Sequence, residues 1–93
     1  MDIFGKLVES IIKRQESIIG PVALEQAKKV PGLTVDLDNH RITFEGENHK
    51  QILEKLVEKY EDLFGPASVE VCKDAIKGIV SHVPSGQLPK LLL

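Results

Sequence analysis

The sequence predicts an α+β fold that is mostly α, with two copies of a helix–Gly-Pro–helix unit flanking one β-hairpin in the order α-α-β-β-α-α. Three observations carry that prediction. The stretch from Leu7 to Lys28 returns 45 residues later as Ile52 to Lys73, with six identical pairs: Glu9/Glu54, Glu16/Glu61, Gly20/Gly65, Pro21/Pro66, Glu25/Glu70 and Lys28/Lys73. Agreement at that level marks an internal duplication. Between the copies, apolar and polar residues alternate around a polar turn, as in a hairpin. Outside that region the apolar residues recur at helical spacing.

The first helix is expected from about Asp2 to Ile18. Asp2 suits the N-cap, where a carboxylate accepts from free backbone N–H groups. Ile3, Phe4, Leu7, Val8, Ile11, Ile12, Ile18 and Ile19 make a broad apolar stripe interrupted by Gln15. Glu9 and Lys13 are spaced as a stabilising pair on the other side. Gly20 can end this helix, and Pro21 can open the next, where its missing N–H costs nothing. The second helix should run to about Val30, with Ala23, Leu24, Ala27 and Val30 inward, and Pro31-Gly32 ends it.

In the hairpin, Leu33, Val35 and Leu37 alternate with polar residues, and so do Ile42 and Phe44. A two-residue turn at Asn39-His40 would pair Leu37 with Ile42, Val35 with Phe44 and Asp38 with Arg41. Asn48 then caps a third helix, with Gln51 at capping-box spacing. That helix places Ile52, Leu53, Leu56, Val57, Tyr60, Leu63 and Phe64 on one face. After Gly65-Pro66 the fourth helix should continue to about His82, burying Val69, Cys72, Ile76, Ile79 and Val80. Gly78 within it implies close backbone packing, since Gly otherwise weakens a helix by about 1 kcal/mol. The tail after Pro84-Ser85-Gly86 carries Leu88, Leu91, Leu92 and Leu93, which should dock on the chain's own core or on another chain.

These boundaries give a single domain over 1–93: repeat 1 at about 2–30, the hairpin at 33–45, repeat 2 at about 48–82 and the tail at 84–93. Hydrophobic content of 42% is enough for a packed core. The longest apolar run is too short to cross a bilayer. The start of the chain lacks the basic and apolar regions of a signal peptide. One cysteine leaves no internal disulfide, and a reducing cytoplasm is expected. Net charge is −2, divided as +1 over 1–32, −3 over 33–49 and 0 over 50–93. That balance opposes nucleic acid as the main partner, and equally an anionic membrane.

Several positions are candidates for chemistry. The Gly-Pro steps read as helix corners, without the Gly-rich, Lys-bearing surroundings of a phosphate loop. Glu25 and Glu70 are repeat-equivalent acids at helix starts, where the dipole favours them. Neither is followed by a Glu-x-x-His pattern, so a di-iron site is not indicated. Cys72 replaces Ala27 of the first copy, which marks a small inward position and an inert thiol. His40, His49 and His82 lack zinc-site spacing. No catalytic, cofactor-binding or metal-binding residue is assigned. The first two helices with the hairpin also match a winged helix-turn-helix outline, but Asp36 and Asp38 give the would-be wing the wrong sign for phosphate.

The string Ile19-Gly20-Pro21-Val22-Ala23, after an acidic residue and followed by Leu24 and Ala27, resembles a small helical domain of bacterial signalling proteins. That domain is often appended to kinases or receiver-type regulators. The resemblance implies an interaction or oligomerisation module. The second copy departs from it at Phe64, Ala67 and Ser68, and no functional residue is carried over. The sequence thus points to a small cytoplasmic adaptor without catalytic activity. A homodimer is expected, with another protein as possible partner and Leu88, Leu91, Leu92 and Leu93 as interaction residues. The alternatives are a nucleic-acid-binding regulator, and an enzyme accessory subunit or small-ligand-binding domain.

Overall fold

The computed structural model describes residues 2–46, 48–84 and 86–93. It holds the helices α1 (Ile3–Ile19) and α2 (Val22–Lys28), the strands β1 (Leu33–Asp36) and β2 (Arg41–Phe44), and the helices α3 (His49–Phe64) and α4 (Pro66–Ile76). Two short 3-10 turns follow, Val80–His82 and Lys90–Leu92. The α-α-β-β-α-α order is therefore present.

The helix starts are capped as their residues require. The Asp2 carboxylate accepts from the Gly5 N–H at 2.8 Å, and the Asn48 side-chain oxygen accepts from the Gln51 N–H at 2.9 Å. The two corners repeat each other bond for bond. Gly20 has φ 74° and ψ −154°, and Gly65 has φ 80° and ψ −175°. This is a region of backbone space that essentially only glycine occupies. Each glycine N–H donates to the carbonyl one turn back, Glu16 at 2.9 Å and Glu61 at 2.8 Å. Each glycine carbonyl accepts from the residue three ahead, Ala23 at 3.1 Å and Ser68 at 3.0 Å.

The units then lock together reciprocally. The Gln15 amide donates to the Ser68 carbonyl at 3.0 Å, and the Tyr60 hydroxyl donates to the Ala23 carbonyl at 2.7 Å. Gln15 and Tyr60 are equivalent positions of the two copies, and so are Ala23 and Ser68. The first helix of each unit thus bonds the same carbonyl in the second helix of the other, which is a local two-fold relation. Both donors are buried, so each bond satisfies a polar group that would otherwise be stranded. Leu7, Ile11 and Ile12 of α1 join Leu53, Leu56 and Val57 of α3 in one apolar cluster that also takes in α2, α4, the hairpin and the tail. Ala23, Ala27 and Cys72 are fully enclosed, and their small size lets the helices approach closely.

Three sequence expectations need correction. The hairpin pairs Leu33 with Phe44, Val35 with Ile42 and Asp36 with Arg41. The register is therefore shifted by two residues, and the loop is Leu37 to His40 rather than Asn39-His40 alone. Asp36 sets this turn: its carboxylate accepts from the Asn39 side-chain amide at 2.8 Å and from the Asn39 backbone N–H at 3.3 Å. A shift of two leaves every side chain on its original face. Consequently Val35 is still buried, while Leu37 packs against the core from the loop.

The fourth helix stops at Ile76 instead of reaching His82. Gly78 is exposed, with nothing within 4 Å of where a Cβ would sit, so it ends a helix and does not admit a close neighbour. At the end of α3, Leu63 and Phe64 are exposed rather than part of the core. Of the two places expected for the tail, the chain's own core and another chain, it takes the first. Leu88 and Leu92 are buried in the core, Leu91 is half-buried, and Leu93 alone of the four leucines is exposed.

Candidate functional site

The polar candidates do not converge. Cys72 is enclosed, and its sulfur receives the Gln15 amide at 3.3 Å. Burial pushes its thiol up to about 11, which keeps it protonated and unreactive at neutral pH. Burial also raises the Tyr60 hydroxyl well above its ordinary value. Glu70 pairs with Lys73 on its own helix at 3.3 Å, and Glu25 is exposed on α2. Among the described residues, no group of three or more His, Cys, Asp or Glu side chains is placed to hold a metal ion.

The histidines have separate local roles. His40, at φ 51° in the hairpin loop, meets the Glu9 carboxylate at 3.0 Å and ties the loop to α1. The His49 ring stacks on Phe44 at 4.4 Å and meets the edge of Phe4 at 5.4 Å, joining hairpin, α1 and α3. His82 lies exposed in the first 3-10 turn. An open cleft of about 500 Å³ is lined by Phe4, Asn48, His49, Lys50 and Gln87. Among the described residues, its lining includes no nucleophile beside a base, and His49 is already engaged by two aromatic rings.

A different arrangement appears at the corners. Gln15 lies one turn before the end of α1 and bonds to Ser68 in the first turn of α4. Tyr60, one turn before the end of α3, bonds to Ala23 in the first turn of α2. Both Gly-Pro corners therefore reach the same end of the molecule. There Ile18 is 60% exposed, Leu63 55% and Phe64 43%. Ile18 and Leu63 are equivalent positions of the two copies. Pro21 and Pro66 are exposed beside them.

The helical period places Ile18 on the core stripe, seven residues from Ile11. It is nonetheless exposed, while its neighbour Ile19 packs against the core cluster. Leu63 and Phe64 are likewise exposed at the end of α3.

The charges around this end are mixed: Arg14 lies one turn before Ile18, Lys59 lies one turn before Leu63, and Lys73 pairs with Glu70 at 3.3 Å. Residues 16–25 and 61–70 contain Glu16, Glu25, Glu61, Asp62 and Glu70 and no lysine, arginine or histidine, a charge of −5. The chain as a whole is −2, so the remainder is +3. Glu16, Glu25, Asp62 and Glu70 are exposed. Helical periodicity places Ile18, Leu63 and Phe64 on inward faces, so their exposure was not legible in the sequence.

No family model, curated protein or solved structure matches this chain. No helix among the described residues is long and apolar enough to cross a membrane.

Proposed function

We propose that this chain is a small, non-catalytic protein–protein interaction module of the regulatory adaptor kind, and that it engages its partner through the paired Gly-Pro corners. The observation that carries the reading is the exposure of Ile18, Leu63 and Phe64 at one end of a fold whose other large apolar residues are mostly covered. Large apolar side chains gathered at one exposed end mark an interaction site more often than scattered ones do. The polar candidates support the same reading: the thiol is enclosed, and the histidines brace the hairpin. The single buried cysteine suits a reducing compartment, and a cytoplasmic location is proposed on that ground.

The tail contributes less than the sequence suggested. Leu88 and Leu92 are already used within the chain, so the expected homodimer loses that part of its basis. The hairpin has two strands among the described residues, and its outer edges are the surface proposed for a second copy.

The test is tagged purification from the native host, with wild type compared against the double substitution Leu63→Ser and Phe64→Ser. A specific, identified protein should accompany the wild type in stoichiometric amount and be lost from the variant, while thermal stability stays the same. Equal recovery with both forms would remove the corners from the binding surface and sink the reading.

A further inference from the structure

We propose that β2 pairs antiparallel with β2 of a second copy about a two-fold axis at Thr43, with Ile42 opposite Phe44 and Arg41 opposite Glu45 across the contact. The proposal rests on the reading that the hairpin's outer edges receive a second copy, and it does not involve the corners.

The backbone decides which edge is open. The Glu45 N–H donates to the Gly32 carbonyl at 2.7 Å, continuing the register that pairs Leu33 with Phe44. Bonded and non-bonded pairs alternate along an antiparallel ladder. Thr43 and Arg41 therefore turn their N–H and C=O groups towards β1, while Ile42 and Phe44 turn theirs outward. Among the described residues, no hydrogen bond reaches those outward groups. The edge of β1 is already in use: the Leu33 N–H donates to the Val30 carbonyl at 3.2 Å, and Val35 is buried.

A strand edge with free N–H and C=O groups is a template for another strand. Two-fold pairing centred on Thr43 sets Ile42 and Phe44 opposite each other, so every outward group of both strands finds a partner. A centre at Ile42 would set Phe44 against His40, and a centre at Phe44 would set Ile42 against Gly46. His40 has φ 51° and Gly46 has φ 94°, so neither extends a strand. The charges agree with the same register. Arg41, Thr43 and Glu45 are exposed on the outer face, and the pairing brings Arg41 of each copy across from Glu45 of the other. Opposite charges directly across a ladder stabilise it, and like charges destabilise it. On the inner face, Ile42 and Phe44 are half-buried against the core and would cover each other across the contact.

The test is sedimentation equilibrium of the full chain with two charge reversals. Wild type should dimerise reversibly. Arg41→Glu and Glu45→Arg should each weaken the dimer by about tenfold or more, since either change sets like charges opposite at both ends of the contact. An equimolar mixture of the two variants should dimerise again, because an acid then meets a base at both ends. Arg41 also faces Asp36 within the hairpin, so a second readout does not depend on that variant. Amide exchange at Ile42 and Phe44 should slow with rising concentration in wild type and stay unchanged in Glu45→Arg.

A wild type that stays monomeric at millimolar concentration would overturn the proposal. So would a dimer indifferent to both charge reversals, or two folded variants that fail to pair when mixed. Each of these outcomes leaves the corner reading standing, since that depends on a separate protein lost with Leu63→Ser and Phe64→Ser. A dimer that dissociates in that double variant instead would place the second copy on the corners, and would also overturn the proposal.

Discussion

Gln15, Tyr60 and Cys72 show how single residues hold the two halves in register. Tyr60 is wholly buried and spends its hydroxyl on the Ala23 carbonyl, so Tyr60→Phe keeps the ring and removes only the bond. That change should cost about 1 kcal/mol in urea denaturation, the usual net worth of a buried hydrogen bond. No change in midpoint would mean the bond adds nothing to the packing. Cys72 allows a pH test. Its thiol is raised from 9.0 to about 11 in the folded chain, so above pH 9 the unfolded chain loses a proton that the folded chain keeps. Stability from this group is therefore complete below about pH 9 and declines towards pH 11, by on the order of 2 kcal/mol. Cys72→Ala should cost about 1 kcal/mol at neutral pH and remove that part of the alkaline decline. A wild-type and a Cys72→Ala curve that run parallel from pH 8 to 11 would refute it.

Among the elements, the corners were the most legible in the sequence and the hairpin the least. Gly20 and Gly65 are identical in both copies because the backbone there takes a positive φ with extended ψ. A Cβ at either site would meet nothing within 4 Å, so any cost of Gly→Ala is conformational. Gly20→Ala and Gly65→Ala should each destabilise by about 1–3 kcal/mol, and by similar amounts. Thermal unfolding of the two variants measures this, and a large difference between them would break the equivalence of the corners. The hairpin register depended on which of several polar residues closed the turn, and alternation alone cannot choose between registers two residues apart. Asp36 closes it, held by Asn39, whose amide keeps the Asp36 carboxyl below its usual range. The end of α4 was misplaced for a related reason. Apolar residues keep a helical spacing through Ile79 and Val80, but the chain turns at Lys77 to Ile79, and a 3-10 turn follows at Val80–His82.

For the molecule as a whole, the tail gives the clearest prediction. Leu88 and Leu92 complete the core against α3 and α4, so removal of residues 87–93 uncovers apolar surface on both sides of the contact. The truncated chain should lose on the order of 3 kcal/mol of stability, from roughly 1.5–3 kcal/mol per buried leucine. Its assembly state should not change. Calorimetry and sedimentation of both forms decide this, and an unchanged melting temperature with an altered mass would return the tail to an intermolecular role.

The sequence by itself determined the α-α-β-β-α-α order, the duplication, the helix starts and the inward place of Cys72, because each follows from local rules of capping, periodicity and backbone freedom. The tertiary structure decided where the apolar stripes ran out of partners. Ile18 and Leu63 obey the helical period as well as Ile11 and Leu56 do, yet only the latter pair is buried. Burial depends on what another part of the chain places opposite, and that depends on the reciprocal fit of the two units, which no local pattern encodes. The same fit brings both Gly-Pro corners, distant in sequence, to one end of the molecule.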